Sequence, residues 1–105
     1  MNLVIRTNSN GKLYFNTESN EFCIEFGNVY FTLSEDSFEL LKKQLLNMSN
    51  DLSMYQPSFR IMVPVSGTSI VLMLTPDELL SIKNLVGIYA HEKTSFKLKI
   101  NYSMN

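Results

Sequence analysis

Residues 22–45 read FCIEFGNVYFTLSEDSFELLKKQL, and residues 63–86 read VPVSGTSIVLMLTPDELLSIKNLV. The two stretches align without a gap at an offset of 41 positions, and each spells strand, tight turn, strand, helix cap and amphipathic helix. In the first, Phe22, Ile24 and Phe26 alternate with Cys23 and Glu25, the period of two that marks a half-buried strand. Gly27-Asn28 reads as a two-residue hairpin turn, because glycine reaches the positive φ such turns require. Val29, Phe31 and Leu33 resume the alternation, with Tyr30 and Thr32 on the other face. Ser34 then caps a helix with its hydroxyl, and Glu35 and Asp36 suit the positive end of the helix dipole. Phe38, Leu41, Leu45 and Met48 form the apolar stripe of that helix.

The second stretch repeats the scheme with different chemistry. Ile61, Val63 and Val65 face one way, and Met62 and Pro64 the other. Pro64 lacks a backbone donor, which predicts an edge strand or a bulge. Residues 70–74 are apolar at every position, so both faces of this strand are expected to be covered. Thr75-Pro76-Asp77-Glu78 opens a helix with a cap, a proline at the first position and a glutamate three residues after the cap. Leu79, Ile82 and Val86 supply its stripe.

Outside the two units, residues 3–7 and 12–16 read as strands about the Asn8-Ser9-Asn10-Gly11 turn. Residues 47–56 read as a linker, and residues 95–101 as a closing strand with Phe96, Leu98 and Ile100 inward and Lys97 and Lys99 outward. The expectation is a single α+β domain over residues 1–105, with ββα pseudo-repeats at 21–48 and 60–89. A mostly antiparallel sheet of about seven strands would carry two helices on one face. Only Leu33/Leu74, Asp36/Asp77 and Lys42/Lys83 are identical between the halves, so the repeat is one of pattern more than of residues.

Composition narrows the function classes. A net charge of −1 argues against a protein that lives on phosphate backbones. The longest apolar run, residues 70–74, is far short of the ~20 residues that span a bilayer, so no membrane partner is expected. The first residues, MNLVIRTNSNG, show no apolar signal region, and Cys23 is the only cysteine, which fits a reducing cytoplasm.

The string Phe26-Gly27-Asn28-Val29-Tyr30-Phe31-Thr32-Leu33-Ser34, followed by Phe38, resembles a motif in a family of small, uncharacterised bacterial proteins. The likeness continues through Arg60-Ile61-Met62-Val63-Pro64 and Asp77-Glu78-Leu79, and covers about residues 13–90. A Cys-x-x-Cys pair often precedes the Phe-Gly-Asn string in that family. The matching positions here are Asn16 and Ser19, which cannot act as thiolate ligands, so any metal site the pair implies is absent or rebuilt. The resemblance supports the fold and implies no activity.

No residue set predicts catalysis, a cofactor or a metal. His91 is the only histidine and has no second His or Cys cluster to work with. Cys23 has Glu21 and Glu25 for neighbours, which disfavour a thiolate. Glu35, Asp36, Asp77 and Glu78 lie in first turns of helices, where capping and dipole account for them. Lys93, Lys97 and Lys99, interleaved with Phe96 and Tyr102, are a weak nucleic-acid signal.

The strongest candidate is a surface. Tyr30, Met62, Val71 and Met73 fall on the side opposite the helix-facing residues, and Met54 and Tyr55 of the linker join them in this reading. If both helices take one face of the sheet, something must cover this one. A second copy of the chain is one answer; the N-terminal strands or the linker are the other. The expected function is a small non-enzymatic protein-interaction module, meeting itself or another protein through this surface or an open sheet edge. The alternatives are a ligand-binding protein or enzyme with a pocket between the sheet and residues 47–56, and weak nucleic-acid binding through the C-terminal lysines.

Overall fold

A computed structural model describes residues 1–48 and 60–88 of the chain. Six strands and two helices follow in the order β1 (Asn2–Asn8), β2 (Gly11–Asn16), β3 (Glu21–Phe26), β4 (Val29–Leu33), α1 (Glu35–Leu46), β5 (Ile61–Pro64), β6 (Val71–Leu74) and α2 (Pro76–Leu85). The α+β class and the two helices agree with the sequence reading. The single sheet does not. β1 to β4 form an antiparallel meander in that order, and β5 and β6 form a separate two-stranded sheet. The predicted strand at 95–101 lies outside the described residues. So among the described residues the first unit's hairpin sits inside a larger sheet while the second unit's hairpin pairs only with itself, and the two halves are not equivalent there. Alternation reports that one face of a strand is buried, not which strand lies beside it, so one sheet and two sheets read alike in sequence.

Local chemistry explains the meander's turns. Asn8 Oδ1 accepts the backbone N–H groups of Asn10 and Gly11 at 2.9 and 3.0 Å, closing the β1–β2 turn. Asn16 Oδ1 does the same for Glu18 and Ser19 at 2.9 and 3.1 Å, and Asn20 takes φ +57° beside it. The β3–β4 turn has positive φ at Gly27 and not at Asn28, the signature of a type II′ hairpin.

Register fixes the faces of the four-stranded sheet. Leu13, Ile24 and Phe31 stand in one cross-strand row, and Phe15, Phe22 and Leu33 in the next. This face carries both helices. α1 lies over β3 and β4, where Phe38 stacks on Phe22 with ring centroids 4.1 Å apart and planes 12° apart. α2 lies over β1 and β2, tied by Arg6 Nη1 to the Leu85 carbonyl and by Asn8 Nδ2 to the Ser81 carbonyl, both at 3.0 Å. The inward residues of the β5–β6 hairpin, Ile61, Val63, Leu72 and Leu74, join the same core as the helices and the large sheet.

The helix caps form as the sequence predicts. Ser34 Oγ accepts from Ser37 N, and Thr75 with Glu78 makes a reciprocal capping box. At the other end of α2, Gly87 takes φ +99°, its N–H reaches the Asn84 carbonyl and that of Ile88 the Lys83 carbonyl. These two bonds are a Schellman motif. A Cβ on Gly87 would lie 3.3 Å from Arg6 Nη1, the far end of a flexible side chain. Gly87→Ala is therefore expected to cost about 1 kcal/mol, mostly backbone strain, measured as a shift in the urea midpoint.

A lysine in the core carries no signal in the sequence. Lys83 is only 2% exposed, its stem packed in the core and its ammonium donating to the Met48 carbonyl just past the end of α1. A lysine can run its aliphatic stem through apolar surroundings provided its head finds oxygen, and here the head meets the negative end of a helix.

Candidate interaction surface

The β5–β6 hairpin is built to bury one face and show the other. Ile61 pairs with Leu74 and Val63 with Leu72 on the buried side, while Met62 pairs with Met73 and Pro64 with Val71 on the outward side. The connecting turn is held by Thr68, whose hydroxyl donates to the Val65 carbonyl and accepts from Ile70 N, both at 2.9 Å. Val65 N also donates to the Ile70 carbonyl at 2.9 Å. The outward side stays open: Met62 is 61%, Met73 62% and Val71 45% exposed. This corrects the expectation that both faces of residues 70–74 are covered. Their continuous apolar run packs on one side only. β1 and β2 do not cover the hairpin, because they extend the large sheet instead.

Tyr30 is placed elsewhere. It projects from β4 on the outward face of the four-stranded sheet, opposite Glu25, and is 57% exposed. A hydrogen bond with Tyr14, and one with Cys23, push its phenol above the usual tyrosine range. So three of the four predicted surface residues come together on one hairpin, and the fourth belongs to another sheet with polar neighbours.

Cys23 lies on that same outward face, yet it is buried between Tyr14 and Thr32 of the flanking strands. Asn2, Val4, Lys12, Tyr14 and Glu25 line a shallow, open depression of roughly 170 Å³ nearby. That is well below the ~300 Å³ at which small-molecule sites begin. Among the described residues, no group of three His, Cys, Asp or Glu side chains could hold a metal ion, and no helix is long and apolar enough to cross a membrane. His91, Lys93, Phe96, Lys97, Lys99 and Tyr102 lie outside the described residues, as do Met54, Tyr55 and most of the 47–56 linker.

The whole chain, residues 1–105, matches the sequence profile of a family of unknown function, DUF6686. The chain belongs to that family. No curated protein and no solved structure matches it. Membership in DUF6686 therefore brings no activity or ligand with it, and agrees with the resemblance to an uncharacterised family seen in the sequence. In this DUF6686 chain, Asn16 and Ser19 stand at the β2–β3 turn. There the Asn16 side chain accepts from Ser19 N.

Proposed function

We propose that this protein is a small non-enzymatic interaction module that pairs with a second copy of itself through the outward face of the β5–β6 hairpin. The observation that carries this reading is the clustering of Met62, Val71 and Met73, three large apolar side chains left open on one regular element. Scattered exposed apolar residues are ordinary, but a contiguous group on a single face is a contact surface in waiting. The patch holds no charged side chain, so two copies meeting face to face bring no like charges together. Methionine adapts its three rotors to an imperfect neighbour, which suits a two-fold contact between identical surfaces.

Size sets the strength. Met62, Pro64, Val71 and Met73 together expose at most a few hundred Å², against about 800 Å² per partner in a standard interface. The dimer is accordingly weak, with a dissociation constant on the order of 10 μM or above. Sedimentation across a concentration series is expected to show monomer passing to dimer. The Met62→Asp/Met73→Asp double variant is expected to stay monomeric with its urea midpoint unchanged. A wild-type chain still monomeric at about 1 mM, or a variant that dimerises equally well, would overturn the proposal.

A further inference from the structure

We infer that the open edge of β1 is the docking site for residues 95–101 of this same chain, which add a fifth strand to the four-stranded sheet. The inference is independent of the hairpin dimer and uses none of its residues. β1 ends the strand order, and among the described residues its ladder partner is β2 alone. Leu3, Val4 and Ile5 are 49%, 60% and 44% exposed. Consecutive strand residues project to opposite faces, so a body laid on one face would leave part of this group in water. A strand laid alongside flanks side chains on both faces and takes up the outward N–H and C=O groups as well.

The usual guards of an edge are thin here. β1 holds no proline and no lysine, and its one charge, Arg6, is drawn in to the Leu85 carbonyl at the end of α2. The guard that remains is the irregularity between Val4 and Arg6, which interrupts the ladder and favours one short partner strand over open-ended stacking.

The chain itself supplies the occupant. It leaves α2 through Val86, Gly87 and Ile88, directly beside Arg6 of β1. Residues 89–94 can reach about 20 Å when extended, and packed layers are separated by about 10 Å. Residues 95–101, SFKLKIN, lie outside the described residues and carry the alternation of a one-sided strand. In this arrangement Phe96, Leu98 and Ile100 turn to the helix-covered side. Lys97 and Lys99 then supply the charged guard that β1 lacks.

Amide hydrogen exchange on the full chain tests this. The β1 amides that point away from β2 are expected to exchange about 100-fold slower in the wild type than in the Leu98→Asp/Ile100→Asp variant, independently of protein concentration. The central β3 amides serve as the control for folding and should stay protected in both. Equal β1 exchange in the two proteins would overturn the inference. So would β1 protection that grows with concentration, which would assign the edge to a second copy.

Discussion

Gly11→Ala is expected to destabilise the protein by about 3 kcal/mol or more, enough to leave a large share of a marginally stable domain unfolded. The position is governed by distance rather than by backbone angle. Gly11 opens β2 opposite Phe26, and a Cβ placed there would lie 2.0 Å from the Glu25 carbonyl oxygen and 3.0 Å from its carbon. Real Cβ contacts do not fall below 3.0 Å, so the two strands must part by at least 1.0 Å (3.0 minus 2.0). The obstacle is backbone, which cannot swing aside as a side chain does. The strain falls where β2 and β3 begin to pair and where Gly27 N donates to the Asn10 carbonyl at 2.8 Å. Urea unfolding is the measurement, with Gly87→Ala as the comparison. That variant meets only the tip of Arg6, and its smaller loss separates backbone collision from left-handed strain.

Phe38→Ala is expected to cost about 4 kcal/mol, the loss typical of deleting a buried ring and leaving a cavity. Phe38 is the first buried residue of α1 and joins that helix to the sheet through its stack on Phe22. Its ring stacks on Phe22, which in turn meets Phe15 edge-on with centroids 5.0 Å apart. Lys42 Nζ lies 5.6 Å from the centre of the Phe38 ring. Removing the ring empties a site bounded by regular elements, which collapse poorly into the gap. Phe38→Leu keeps most of the volume and is expected to cost less than about 1.5 kcal/mol. Equal losses for the two variants would show that the ring stack, not cavity formation, dominates at this position.

Much of the fold was legible along the chain. Ser34, Thr75 and Glu78 announced their helices through capping chemistry that operates over three residues. In the stripes Phe38, Leu41, Leu45, Met48 and Leu79, Ile82, Val86 all are buried except Met48, which lies past the end of α1 and is half-buried against the core, because helical period settles which side of a helix turns inward only as far as the helix runs. The candidate surface was legible in part. Alternation put Met62, Val71 and Met73 on one side, and there they stand together. The repeat places Tyr30 with them, but its strand pairs into a different sheet. Arg6 and Lys83 left no signal, since each is explained by a carbonyl far away in sequence: that of Leu85 for Arg6, and that of Met48 for Lys83.

Among the described residues, the sequence by itself determined the elements, the caps of both helices and the side each helix turns inward, because those depend on periods and contacts a few residues long. The tertiary structure alone decided that the strands of the described residues divide four and two. It also decided that Met62, Val71 and Met73 are exposed, that Leu3, Val4 and Ile5 lie on the strand that ends the sheet among the described residues, and that a lysine can be a core residue. An alternating strand requires that something cover one of its faces, and the identity of that cover is a long-range choice that no local pattern records.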